Sequence, residues 1–472
     1  MKKIFYILFA SMLIITLASC EKDLDTVPFD AVDAASGIKT ANDVENTLLG
    51  AYGRLRGGNY YGGEFLAKPD ILSDNLIINP QGRLSNKTNY EWRYNPNVPW
   101  SMYTDCYRVI YSANLVLKNI DKAGSNASDI EGEALALRAL AHFDALRVYA
   151  QIPVRSGANA TLGLPYVTEP DPQILPARET VGSNYANLIS DLTTAASKIG
   201  ADNGEGRMNK AAVYALLSRV YLYMGEWQNA SDAADNAIAN SNTPIASRTD
   251  FPLVWKDASR EGVLFLVRNT SQDGISVGVP YSQTSPAGTK SEYVIDYDFY
   301  QMYVNEDVRK SAYIFTSVFE GNSYNNINKY LGRLTGDANV VDMKVLRMAE
   351  VYLNKAEALA ELDTQDAAAL AALDVVRSNR YSNFTSPGET GTALKNAIKK
   401  ERRLELAFEG HRFFDLKRWG QPVQRSNYGE FSDGSGTPSL YQTLPADDYK
   451  FQLPIPQDEI NVNPNVEQNP GY

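Results

Sequence analysis

The groups best able to do chemistry crowd into one stretch, ERRLELAFEGHRFFDLKRWG, from Glu401 to Gly420. Glu405, Glu409, His411 and Asp415 would make an acid/base site, because paired carboxylates beside an imidazole can exchange protons. A second reading competes with it. Each of these acids has an arginine within three or four positions, a spacing that favours plain ion pairing and a salt-bridged staple locking the C-terminal third onto the core. Elsewhere Gly274-Ile275-Ser276-Val277-Gly278 matches the nucleophile-elbow pattern G-x-S-x-G and follows the strand-like run VLFLV, Val263 to Val267. The elbow needs a strand–turn–helix in a parallel sheet, and the chain lacks the alternating strands and helices of one, so a serine hydrolase acting through Ser276 is the weaker alternative. Only two histidines are present. His142 sits in a strongly apolar helical run and reads as a core histidine. No HExxH, paired CxxC, Walker loop or dinucleotide fingerprint occurs, so neither a metal nor a cofactor is expected and no catalytic residue is assigned.

Binding chemistry remains. A sugar ring offers an apolar C–H face and a rim of hydroxyls, which flat aromatic side chains and side-chain amides complement. The stretch Asn59–Pro99 is rich in glycine, asparagine and aromatics and carries Asp74, Asn75, Asn86, Asn89, Tyr90, Trp92, Tyr94 and Asn95. In an extended segment residues two apart share a face, so Tyr90, Trp92 and Tyr94 could form one platform or could pack the loop onto the scaffold. Tyr293, Tyr297, Tyr300 and Tyr303 recur at three- or four-residue spacing, either as the inner face of a short helix or as further ligand contacts. Trp92, Tyr94, Asn75, Asn95 and Tyr293 form the expected glycan-binding set.

These residues need a frame, and most of the chain reads as helix. Helical periodicity runs over Asn42–Arg56, with Asn42 as N-cap and Gly57-Gly58 as the stop, then over Trp100–Asp121, Ile130–Ala150 and Asn184–Ile199. A tetratricopeptide-like pattern follows from Tyr214 through Gly225 and Trp227 to Ala237. It recurs from Tyr352 to Val375, with Asp363 in place of the turn glycine. About four helix pairs are enough to stack a continuous core. The expected fold is mainly α: a tetratricopeptide-like helical-repeat scaffold over 40–240 and 342–420, a loop-rich second lobe at about 241–341, and an extended tail over 421–472. The helix ending in Leu404, Ala407 and Phe408 is expected to stop at Gly410.

The N-terminus bears on compartment. Lys2 and Lys3 precede an apolar run, Ile4–Leu17, too short for a comfortable membrane span, which ends in Leu17-Ala18-Ser19-Cys20. This looks like a bacterial lipobox, with residues 1–19 as signal peptide and Cys20 as the lipidation site. Several acyl chains on one residue would anchor the protein stably. Loss of 1–19 removes two lysines and no acid, taking the net charge from −11 to −13. That balance disfavours nucleic acid as a partner. With Cys20 acylated, Cys106 has no partner for a disulfide.

The Glu401–Gly420 stretch closely resembles the C-terminal signature of the SusD/RagB family of outer-membrane nutrient-binding lipoproteins. The ending LPIPQDEINVNPNVEQNPGY, Leu453–Tyr472, is similar to that family's ending as well. Further matches are GEALALRALAHFDALRVYAQIPV, GRMNKAAVYALLSRVYLYMGEW and VLRMAEVYLNKAEALAEL, spread over most of the chain. Glu21, Asp23 and Asp25 resemble the acidic surface-export signal of such lipoproteins. The resemblance implies a non-catalytic, surface-exposed lipoprotein. It would bind oligosaccharides and hand them to a SusC-like, TonB-dependent outer-membrane transporter, with a RagB-type oligopeptide receptor as the alternative. It also implies a structural role for the C-terminal motif and ligand contacts from variable loops, so no binding residue carries over.

Overall fold

The structure is a computed structural model and describes residues 37–472. The signal segment and Cys20 lie outside the described residues. Thr40, two positions ahead of the expected Asn42, caps the first helix. Its hydroxyl accepts from the Asp43 N–H at 3.3 Å while the Asp43 carboxylate accepts from the Thr40 N–H at 2.9 Å, a reciprocal capping box. The scaffold helices are α1 (Ala41–Arg54), α2 (Met102–Lys118), α3 (Ala127–Tyr149), α4 (Val181–Lys198), α5 (Lys210–Met224), α6 (Trp227–Ala239), α7 (Met348–Glu361), α8 (Asp366–Ser378) and α9 (Gly391–Glu405). They pack as four pairs, α1 on α2, α3 on α4, α5 on α6 and α7 on α8, with α9 laid against α7. The repeat signature has a direct physical basis. Gly225 turns α5 into α6 at φ +74°, and Asp363 turns α7 towards α8 at φ +55°, so an aspartate takes the left-handed position that glycine fills in the first copy.

The chain leaves the scaffold after α6 and rejoins it at α7, and α6 packs directly on α7 across that excursion. At the base of the excursion Val263–Val267 pairs antiparallel with Met343–Arg347, whose last residue leads straight into α7. Beyond it stands a four-stranded antiparallel sheet in the order Gln283–Ser285, Gly288–Lys290, Ile314–Phe319, Asn322–Ile327. Tyr293–Ile295 pairs instead with Leu76–Ile78, tying the excursion to the segment after α1. That segment contains a helix, Glu64–Ile71, where helical periodicity is not legible. Every residue from Phe65 to Ile71 is buried, so no polar face marks the period, and Pro69 lies inside it.

α9 stops at Glu405, five residues before the expected Gly410. Its last two carbonyls, and two in the turn just beyond it, are taken by the excursion. Tyr303 Oη donates to Leu404 O at 2.9 Å, Tyr313 Oη to Glu405 O at 2.8 Å, Lys329 Nζ to Ala407 O and Tyr330 Oη to Phe408 O at 2.7 Å each. A helix end normally leaves these acceptors unmet. Here three tyrosines and a lysine meet them, and Phe408 turns the chain at φ +66°. The tail serves α3 in the same way. Leu453 N donates to Val148 O at 3.0 Å, and Asn469 Nδ2 to Tyr149 O at 2.8 Å.

Candidate functional site

The four acid/base candidates do not share an open site. Glu405 is fully buried and accepts from Arg347 at 2.9 Å, Arg380 at 2.9 and 3.0 Å and Arg309 at 3.2 Å. Burial pushes its carboxyl up, but Arg380 and Arg347 outweigh burial and hold it well below the usual carboxylate range. Glu409 accepts from Arg347 at 2.6 and 2.7 Å and from Lys329 at 2.7 Å, and Asp415 from Arg402 and Arg418 at 2.9 Å. His411 is buried, and burial together with Arg219 and Arg402 pushes its imidazole well below the usual range. The three carboxylates are each held by two or more cationic side chains, the arrangement expected of a staple. The pairing reaches well beyond the stretch itself: Arg412 holds Asp74 at 2.7 and 2.8 Å, and Arg418 holds Glu357 on α7 at 2.5 and 2.7 Å.

The expected aromatic platform is interior. Tyr90, Trp92 and Tyr94 are between 2 and 4% exposed. They are not on an extended strand, because a helical turn ends at Tyr90 and Trp92 adopts φ +50°, which abolishes the shared face. The rings instead hold an arginine of the same chain. The Arg425 guanidinium lies 3.7 Å from the Tyr90 ring centroid and 4.3 Å from that of Trp92. Trp92 Nε1 donates to Leu72 O at 2.9 Å, and Tyr94 Oη donates to Lys450 O. Asn75 is buried between Arg403, which donates to its Oδ1 at 2.8 Å, and Asp70, to which its Nδ2 donates at 2.7 Å. Tyr293 is buried, and its hydroxyl donates to Ser85 O at 2.5 Å. Of the expected set only Asn95 is on the surface, where its Oδ1 accepts from Asn97 N at 3.0 Å. The structure therefore does not bring the five together as an exposed group.

Other tyrosines reach the surface, Tyr428 exposed and Tyr297 and Tyr300 half-buried. Tyr297 and Tyr300 lie on the Tyr297–Gln301 helix, three positions apart and on one face, with near-parallel rings 6.1 Å apart. Tyr428, 40% exposed, comes from a distant Gly/Ser-rich loop and sets its ring edge-on to Tyr297 at 5.0 Å. Asp296 joins the two elements. One carboxylate oxygen caps the helix, accepting from Asp298 N at 3.0 Å and Phe299 N at 3.3 Å, and the other accepts from Ser426 Oγ at 2.6 Å. Ser426 Oγ in turn accepts from Tyr428 N at 3.2 Å. Arg425 closes the base of the loop, donating to Tyr441 O at 2.8 Å. Gly434 lets the loop fold onto the rings: a Cβ there would lie 2.5 Å from Tyr297 and 2.8 Å from Tyr428, at φ +84°. Tyr297 and Tyr300 stand out in the sequence, whereas Tyr428 does not. Its only signal is the composition of the loop SNYGEFSDGSG.

Ser276 lies on an exposed turn after Gly274, which adopts φ +67°. Its preceding strand, Val263–Val267, is in an antiparallel pair, so the strand–turn–helix of an elbow is not formed. Both histidines are buried, and His142 stacks on Tyr166 at 4.0 Å.

Similarity to known proteins extends over most of the chain. Residues 322–472 match the model of the SusD family, and residues 24–222 match that of a family described as starch-binding and associating with the outer membrane. Among solved structures, a proposed sugar-binding protein of Bacteroides vulgatus ATCC 8482 superposes with a TM-score of 0.83 at 30% identity, over 92% of this chain and 99% of its own. A SusD superfamily protein of Bacteroides thetaiotaomicron superposes with a TM-score of 0.81 at 29% identity, over 92% of this chain and 100% of its own. A SusD-like protein of Formosa agariphila, P38, is 24% identical over 90% of this chain and 93% of its own length. The chain belongs to the SusD/RagB family.

Proposed function

We propose that this protein is a non-catalytic saccharide receptor that captures oligosaccharides on the Tyr297–Tyr300–Tyr428 surface. It delivers them to a TonB-dependent transporter while held at the outer membrane by lipid on Cys20. The observation that carries the reading is the tyrosine surface itself. Tyr428 is exposed and Tyr297 and Tyr300 are half-buried, so three rings from two elements meet at the surface, and a buried carboxylate and a glycine at positive φ are committed to assembling them. Aromatic faces open to water suit the apolar face of a sugar ring. The sugar-binding description of the Bacteroides vulgatus relative and the starch-binding description of the matched family support the same class of ligand. Trp92 and Tyr94 enter as supports, because they hold Arg425 and Lys450 at the edges of the segment that presents Tyr428.

Native gels cast with separate plant, algal and bacterial polysaccharides test the reading. Retardation of the protein by at least one of them, reduced in a Tyr297→Ala/Tyr428→Ala variant, is expected. Equal mobility of both proteins in every retarding gel would remove the site. Binding of oligopeptides without any saccharide would favour the peptide-receptor alternative. For the anchor, Cys20→Ala is expected to move the protein from the membrane to the soluble fraction, and its retention with the membrane would contradict lipid attachment there.

A further inference from the structure

Beside the tyrosine surface lies a cavity of about 190 Å³ whose wall includes Tyr300, Asn305, Lys310, Ser311, Phe315 and Thr316. Lys310 Nζ stands 5.3 Å from the Tyr300 ring centroid and donates to Asn305 Oδ1 at 2.8 Å. An ammonium has three donors, so two remain for a ligand. Among the described residues no carboxylate stands within ion-pair distance of this nitrogen. Asp307, the other charged residue of the wall, is committed elsewhere: its side chain is fully buried, and Arg309 donates to it at 2.8 and 2.9 Å. The acids close to it in the chain are Asp298, off the face that Tyr297 and Tyr300 share, and the exposed Glu306, whose backbone carbonyl accepts from the exposed Arg248 at 3.3 Å. The cavity thus joins an aromatic face to an ammonium that the protein does not neutralise.

We propose that the site selects acidic over neutral saccharides, seating a sugar's anionic substituent, a carboxylate or a sulfate ester, on Lys310 while the ring lies against the tyrosines. The inference rests on the saccharide reading above and adds its ligand class. The chain carries a net charge of −11, so its overall field repels such a ligand, and a local cation has to supply the selectivity. An exposed charge pair contributes up to about 1 kcal/mol, which is about fivefold in affinity. It also weakens with salt, which contact between a sugar face and a ring does not.

The test is calorimetric titration of the full chain and of Lys310→Gln with three oligosaccharide probes: an oligogalacturonate, a sulfated galactan oligomer and a neutral β-glucan oligomer, at low and high salt. At least one acidic probe is expected to bind about fivefold tighter than the neutral one. That advantage should vanish in Lys310→Gln and at high salt, while the melting temperature and the affinity for the neutral probe stay unchanged. Preference for the uronate alone or the sulfate alone identifies the substituent. Equal or tighter binding of the neutral probe, or a preference that survives in Lys310→Gln, overturns the inference and leaves the saccharide reading standing. Failure of all three probes to bind overturns it together with that reading.

Discussion

The Glu401–Gly420 network and the Tyr297–Tyr300–Tyr428 surface are both rich in groups that could act on a ligand, yet they use them in opposite ways. In the network, Glu405 alone is held by three arginines from the turn after α8, the excursion and the strand leading into α7. At the surface, a buried carboxylate positions the rings, of which Tyr428 is exposed and Tyr297 and Tyr300 are half-buried. The density of reactive residue types is therefore a poor guide to function here. The distinction lies in whether each group is already satisfied by the protein. A fully paired buried network specifies an arrangement, and removing one member strands the others without water to replace it.

Breaking the network should give the largest effect. Glu405→Ala leaves three guanidinium groups facing a cavity and is expected to cost about 3–5 kcal/mol in urea unfolding. A loss below about 1 kcal/mol would mean that the network is not a staple. Glu409→Ala, which removes the partner of Arg347 and Lys329, should follow it closely. Acid should act on the same network. Burial pushes the Glu357 carboxyl up, but Arg418 outweighs burial and lowers it from 4.5 to about 2, and Glu405 is also depressed. A depressed folded-state pKa contributes stability that is complete above the unfolded value and lost as pH falls towards the folded one. The melting temperature should hold above about pH 5 and fall between roughly pH 4.5 and 2, with Glu357 contributing about 3 kcal/mol of the loss. A Glu357→Gln variant should show a shallower fall, and an identical slope would remove Glu357 from the account.

Trp92→Ala sharpens the comparison from the other side. As a support for Arg425 the ring should matter to stability, at about 3 kcal/mol, and circular dichroism melting would register it. An unchanged melting temperature would return Trp92 to the list of ligand contacts. Gly434→Ala should cost less stability than these, about 1–2 kcal/mol, because the new Cβ forces the loop off Tyr297 and strains a positive φ. Its affinity for saccharide should nevertheless fall along with that of variants at Tyr428 itself.

Much of the scaffold was legible because its signals are local. Helical period, the Gly225 turn and its Asp363 counterpart act within a few residues, and the structure places each where the spacing predicts. The errors have equally specific causes. Asn42 yields the cap to Thr40 because Asp43 completes a capping box. α9 ends early because tyrosines from the excursion take its carbonyls, a contact no local pattern encodes. At the site, Tyr90, Trp92 and Tyr94 had the right chemistry, but the left-handed backbone at Trp92 and the remote Arg425 turned them inward. Tyr428 was invisible because its partner, Tyr297, is far away in the chain.

On the proposed function the surface tyrosines Tyr297, Tyr300 and Tyr428, not the buried aromatics, contact saccharide. This is tested most directly by measuring affinity and melting temperature together in Tyr428→Ala, with whichever polysaccharide retards the native protein. The account predicts an affinity loss of about thirtyfold, or about 2 kcal/mol, with a melting temperature within a degree or so of wild type. Undiminished affinity, or a loss matched by a large drop in melting temperature, would contradict it.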